Sequence, residues 1–180
     1  VEIPESVLNK IRDSKKTLII CGQDSYDKNF PELCSKLSNA MNLPVFADGA
    51  SPLRFYAVLS DNTIANFASF LKSKNFIEVL DPELIIHFGN APTSKTLLDF
   101  FRHSKAEKIL VNRSGDWKDP SQTAKSLLPL DPSFFCEYLI ENLQRGVNNS
   151  EYLDSIKELD RAVEELKIEK IDNAAFPFEG

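Results

Sequence analysis

Apolar residues in this chain follow two rhythms. Thr17-Leu18-Ile19-Ile20-Cys21, Pro44-Val45-Phe46-Ala47, Leu84-Ile85-Ile86-His87-Phe88 and Lys108–Val111 are short runs with almost no polar alternation. They close at Gly22, Asp48-Gly49, Gly89 and Asn112. A strand without a polar face is covered on both sides, which is the habit of a parallel sheet lying between helical layers. Between these runs the apolar positions recur every three or four residues. Pro4-Glu5 opens one helix carrying Val7, Leu8 and Ile11, and Phe30-Pro31-Glu32 opens another with Leu33, Leu37, Ala40 and Met41 on one face.

The remaining pattern predicts a loop at Ser51–Asn62 through Pro52-Leu53-Arg54-Phe55, then helical material from Ile64 to about Leu80. Further on it predicts a helix from about Ser94 to His103, a loop at Asn112–Thr123, a short strand near Ser126–Leu130 and a helix from Pro132 to about Leu143. The order β-α-β-α-β-α-β-β-α is that of an α/β fold: an open, mostly parallel, Rossmann-like sheet with helices on both faces. After Val147 the character changes. Tyr152, Leu153, Ile156, Leu159, Ala162, Val163 and Leu166 recur at helical spacing among acids and lysines, predicting an amphipathic helix over Ser150–Lys167. Residues 1–147 read as one domain. Residues 148–180 read as a linker helix and the start of a next domain at Phe176–Gly180, so the chain is expected to be a fragment of a longer polypeptide.

Charge and composition narrow the chemistry. The 180 residues carry a net charge of −6, and the basic residues are scattered. Nucleic-acid binding needs a basic face that releases phosphate counterions, so that class is set aside. No apolar run approaches the roughly 20 residues that span a bilayer. Cys21, Cys34 and Cys136 are widely spaced and form no C-x-x-C pair, as expected of reduced thiols in a cytoplasmic protein. With only His87 and His103 beside them, a zinc site is not expected. His87 lies inside an apolar strand and reads as a core imidazole.

Gly89-Asn90-Ala91-Pro92-Thr93-Ser94-Lys95-Thr96 is the stretch where chemistry is expected. It is a strand, a glycine turn and a helix start carrying a lysine, the geometry that presents helix N–H groups to an anion. It differs from a P-loop by one residue: Ser94 stands where the second glycine would be, and Pro92 removes an N–H from the cradle. Nucleotide hydrolysis is therefore not expected. Lys95 either lies along the surface or reaches over the sheet edge toward a carboxylate or phosphate. Arg54 follows the second strand at the same edge; it is either an exposed loop arginine or half of an anion clamp with Lys95. Gly22-Gln23-Asp24-Ser25-Tyr26 lacks the second and third glycines of a dinucleotide fingerprint, so NAD or FAD has weak support. Trp117, in Gly115-Asp116-Trp117-Lys118-Asp119-Pro120, reads as a plug over a sheet end, with turn chemistry at Asp119-Pro120-Ser121. No paired acids, Ser/His/Asp set or activated cysteine stands out, so no residue is assigned as catalytic and none as a metal ligand.

Taken in order, Leu18–Gln23, Leu43–Asp48 with Leu53-Arg54, Glu83–Gly89 with Pro92-Thr93-Ser94-Lys95, and Gly115-Asp116-Trp117-Lys118-Asp119-Pro120 resemble a known pattern over about residues 10–145. It is the middle domain of the 2-succinyl-5-enolpyruvyl-6-hydroxy-3-cyclohexene-1-carboxylate synthases, thiamine-diphosphate enzymes of menaquinone biosynthesis. The resemblance implies a parent transferase that decarboxylates 2-oxoglutarate and adds the succinyl unit to isochorismate. It implies thiamine diphosphate and Mg²⁺ in that parent, held by its N- and C-terminal domains, with no cofactor expected in this fragment, which would be inactive alone. The parent is expected to be a cytoplasmic homo-oligomer. By the same resemblance Lys95 faces carboxylate substrates, Arg54 matches a recurring arginine, and Thr96 stands where some relatives place a second substrate-facing arginine. The alternative is a stand-alone domain that binds an anionic metabolite or nucleotide.

Overall fold

Thr17–Cys21 (β1) is buried at all five positions, because its side chains alternate between two apolar layers rather than between core and water. Ile19 and Cys21 enter one layer and Leu18 and Ile20 the other. In this computed structural model, which describes residues 3–55, 61–143 and 148–173, β1 pairs in parallel with Val45–Ala47 (β2) on one side. On the other side lies Leu84–Phe88 (β3), followed by Glu107–Val111 (β4) and Ala124–Leu128 (β5). The order is β2-β1-β3-β4-β5, and every pairing is parallel.

The helices divide between the faces as the strand alternation requires. Glu5–Asp13 (α1), Phe30–Met41 (α2) and Pro132–Leu143 (α6) cover the layer holding Ile19, Ile86 and Ile109. Phe67–Phe70 (α3), Lys74–Leu80 (α4), Lys95–His103 (α5) and Ser150–Asp172 (α7) cover the layer holding Leu18, Ile20 and Ile85. Chain direction reverses between β1 and β3, since α2 carries the chain outward to β2 and α3–α4 carry it back across the other face. Doubly wound sheets hold ligands beyond the strand ends at such a reversal.

Four expectations shift. The helical run from Ile64 breaks at Leu71–Ser73 into α3 and α4: Ser73 is extended (φ −103°, ψ 126°), while the Asn66 amide donates to Asp160 of α7 at 2.7 Å. Pro52–Phe55 is a 3-10 turn rather than open loop. β5 begins two residues before the predicted start and ends at Leu128, because Pro129 has no N–H to continue the ladder. Helix α7 runs to Asp172, beyond the predicted Lys167. Its first half belongs to the core: Tyr152, Ile156 and Val163 are buried, and the Tyr152 hydroxyl donates to the Leu80 carbonyl at 2.7 Å. Each such side chain contributes about 1.5–3 kcal/mol by burial. The domain boundary drawn at 147 and the segment Phe176–Gly180 lie outside the described residues.

Candidate functional site

Gly89 ends β3 with φ +76°, a conformation that L side chains rarely adopt, and its amide donates to the Val111 carbonyl at 3.1 Å. The chain then passes through Asn90, Ala91 and the buried Pro92 to Ser94, which caps α5 by accepting from the Leu97 amide at 3.4 Å. Lys95 is the first residue of α5. Strand, turn and helix start therefore stand where the sequence places them.

The anion seat at this helix start is already filled. Asp48, at the end of β2, is fully buried, and its carboxylate accepts the Thr93 amide at 2.9 Å, the Thr93 hydroxyl at 2.7 Å and the Ser94 amide at 3.2 Å. Burial pushes this carboxyl up, but the Thr93 hydroxyl and the N–H groups of Thr93, Ser94 and Ala50 outweigh it and hold Asp48 below the usual carboxylate range. A negative charge at a helix N-terminus meets unpaired donors and a favourable dipole, which is the same physics a bound phosphate exploits. The seat is occupied by the protein's own carboxylate. Sequence reading missed this, taking Asp48-Gly49 for turn chemistry alone; the missing second glycine of the P-loop pattern was the available clue.

Lys95 is exposed and Thr96 half-buried. Both line a groove of about 580 Å³ between α4 and α5, floored by Leu71, Ile77 and Phe100. Lys72 and Lys74 stand on the same rim, and among the described residues neither they nor Lys95 form an ion pair. Arg54 is exposed on the 3-10 turn after β2, with its guanidinium 3.5 Å from the Ala47 carbonyl. It is not among the residues of the Lys95 groove.

Face two of the sheet holds a polar cluster that the sequence reading did not assemble. The Lys108 ammonium, buried in β4, donates to Asp119 and Ser121, each at 2.7 Å, and lies 4.0 Å from the centre of the Phe101 ring. Asp119 also accepts the amides of Ser121, Thr123 and Ala124, and so fastens the β4–β5 loop. Burial raises the Asp119 carboxyl, but Lys108, Ser121 and the Ala124 amide prevail and bring it down to about 2. His87, beside it in β3, packs on Phe101 with ring centres 5.2 Å apart, and its Nε2 lies 3.0 Å from the Asn90 carbonyl, so Nε2 carries the proton. Nδ1 has no partner, and burial together with the Lys108 charge lowers the imidazole to about 4. His87 is a neutral core residue. Trp117 is not a plug: it is 55% exposed, because the Asp116–Asp119 turn directs the chain back toward Lys108 and leaves the indole outside.

The crevice at the strand reversal is closed. The Gly22 amide donates to the Phe88 carbonyl at 2.9 Å and the Asn90 amide to the Gln23 carbonyl at 3.0 Å, joining the loops after β1 and β3. The Tyr26 hydroxyl donates to the Gly22 carbonyl at 2.8 Å, with the Phe88 carbonyl 3.1 Å away. A Cβ at Gly22 would fall on the Asn90 carbonyl oxygen. No gap remains there for a pyrophosphate. A diphosphate with its magnesium does not fit these residues either: the helix seat holds Asp48, and no group of three acids, histidines or cysteines among the described residues could hold a metal. The three cysteines are free and buried, and no described helix is long and apolar enough to cross a membrane.

No family model matches the chain. Individual proteins do. It is 28% identical over 181 aligned residues, 99% of its length, to 2-succinyl-5-enolpyruvyl-6-hydroxy-3-cyclohexene-1-carboxylate synthase of Bacillus cytotoxicus. The synthases of Chloroflexus aurantiacus and Bacillus pumilus are each 30% identical over 72% and 81% of the chain. The chain belongs to this synthase family, over part of the family's length. It spans 30%, 22% and 24% of these three synthases. A synthase segment of this size is a domain of a larger chain, and its site residues lie at an edge rather than inside an enclosed pocket.

Proposed function

We propose that this chain is the central domain of a synthase that decarboxylates 2-oxoglutarate on thiamine diphosphate and adds the succinyl unit to isochorismate. In this reading the parent's N- and C-terminal domains hold the cofactor and Mg²⁺, and the parent is a cytoplasmic homo-oligomer. This domain supplies scaffold and one edge of the substrate site, and has no activity alone. The observation that supports it best is the held turn ahead of Lys95, which leaves an unpaired ammonium at the first position of α5. Lys95 binds a substrate carboxylate, flanked by Thr96, with Arg54 as a second cation at the same sheet edge.

Lys95→Ala in the full-length parent is expected to raise the apparent KM for a carboxylate substrate about ten-fold, as one charge-assisted hydrogen bond of about 1.5–3 kcal/mol is lost. Unchanged kinetics remove Lys95 from the site. A second reading draws on the groove, where Lys72, Lys74 and Lys95 rim an apolar floor: a stand-alone domain binding an anionic metabolite or nucleotide. Ligand binding shifts the folding equilibrium, so a thermal-shift screen of this chain with dicarboxylates, flavins and nucleotides separates the two. Stabilisation by one of them favours the stand-alone binder.

A further inference from the structure

We propose that Asp48 is a positioning residue for Lys95, holding from inside the protein the turn that delivers this lysine to the substrate edge. The inference rests on the reading of Lys95 given above. Asp48 ends β2, 45 residues before Thr93 in sequence, yet its carboxylate takes bonds from two consecutive residues immediately ahead of Lys95. One oxygen accepts both the amide and the hydroxyl of Thr93, and the other accepts the Ser94 amide. Its own carbonyl accepts the Ser51 amide at 2.8 Å and its amide donates to the Cys21 carbonyl at 3.0 Å, so the residue is fixed to β1 at its base. The turn is thus tied to the sheet by a side chain rather than by strand pairing.

Two consequences follow for Lys95. Its backbone is fixed at the first position of α5, because the two preceding residues are bonded to Asp48 and Ser94 caps the helix. The carboxylate also cancels the positive helix end, so an approaching anion meets the Lys95 ammonium rather than bare helix N–H groups. This separates the domain from a phosphate-binding loop, in which the ligand itself orders the turn. Here the turn is ordered beforehand, which removes that ordering cost from substrate binding. A substitution to Asn keeps the shape but turns an NH₂ group toward one set of donors, so it loses at least one bond.

The test uses the full-length parent, with Asp48→Asn, Lys95→Ala, the double variant, and Thr93→Val as a milder variant that removes one bond to Asp48. Asp48→Asn is expected to raise KM for the carboxylate substrate about ten-fold while kcat per folded active site changes less than about two-fold. The double variant should be no worse than Lys95→Ala, since groups acting through one contact are not additive. Thr93→Val should shift KM in the same direction by less. Hydrogen exchange of the Thr93 and Ser94 amides should be slow in the parent and fast in Asp48→Asn. Asp48→Asn with unchanged KM, or a double variant showing the product of both effects, overturns the proposal while leaving Lys95 in the site. Lys95→Ala with unchanged KM overturns the reading of Lys95 and the positioning role with it. A merely structural Asp48 would lower the yield of folded enzyme and leave KM in place.

Discussion

Removing either half of the buried Lys108–Asp119 pair should have very different costs. Both side chains are almost fully buried, at 1% and 2% exposure. Asp119→Ala leaves the ammonium with only the Ser121 hydroxyl and the Phe101 ring, and strips the acceptor from the amides of Ser121, Thr123 and Ala124. An ammonium in that position either stays charged and unpaired or gives up its proton. Deprotonation at pH 7 of a group whose ordinary pKa is 10.5 costs about 5 kcal/mol, which bounds the penalty. Burial already depresses the Lys108 ammonium against the pull of Asp119, so the cost falls somewhat below that bound. An expected loss of about 3–5 kcal/mol agrees with broken buried pairs generally. Lys108→Met behaves otherwise. The thioether stem keeps its packing on Phe101, and both Asp119 oxygens keep backbone donors. The expected cost is about 1 kcal/mol or less. Urea unfolding of the chain reads both variants as midpoint shifts at constant slope. Against a typical domain stability of about 5–15 kcal/mol, Asp119→Ala is severe and Lys108→Met mild. Lys108→Met costing as much as Asp119→Ala would refute the reasoning, as would a double variant no better than Asp119→Ala alone.

Two further outcomes follow from the core. His87 holds its proton only below about pH 4 when folded, against an ordinary 6.5, so in that window the unfolded chain binds a proton that the folded one refuses. Stability is complete above 6.5 and falls by about 3 kcal/mol as pH drops toward 4; His87→Gln should flatten that slope in urea titrations, and an unchanged slope would assign it elsewhere. The groups facing His87 are Lys108, Asp119 and Asp48; Asp119 titrates near 2 and Asp48 below its usual range, so neither accounts for a loss that begins at 6.5. Gly22→Ala should cost several times the roughly 1 kcal/mol of an ordinary core substitution, because its Cβ would fall on the backbone oxygen of Asn90 and force the two loops apart. A melting temperature within a degree of the parent chain's would mean that the loops yield.

How much of this was legible depended on whether neighbours in sequence decided the outcome. The strands at Thr17–Cys21 and Leu84–Phe88 were readable to the residue, since each is a run buried on both faces and bounded by glycine or by a turn. The turn and helix at Ser94–His103 were equally readable from cap, lysine and period. The break between α3 and α4 was not, because Asn66 is held by Asp160 and Glu164 on α7, a contact that no window around residue 66 contains. Lys108 passed as the polar start of a strand. A lysine in a strand covered on both faces needs an acid, and Asp116 and Asp119 in the following loop were the candidates in reach. Asp48 was hidden for a similar reason: its partners lie 45 and 46 residues away.

The carboxyl edge of this sheet has two places where doubly wound proteins hold anions, and both are filled from within. Carbonyls, amides and Tyr26 close the reversal between β1 and β3, and Asp48 takes the donors ahead of α5. Backbone donors there are already spent on the protein itself, so a ligand at this edge meets side chains instead: Lys95, Thr96 and Arg54. Side-chain charges on an exposed edge are screened by water and salt and bind weakly alone. They gain strength when a second surface excludes the water. A domain built this way is suited to complete a site whose other walls belong to the remaining length of a synthase chain. The prior filling of its anion seat by Asp48 then has a function: it keeps phosphate from competing at the helix start where the substrate carboxylate must be met by Lys95.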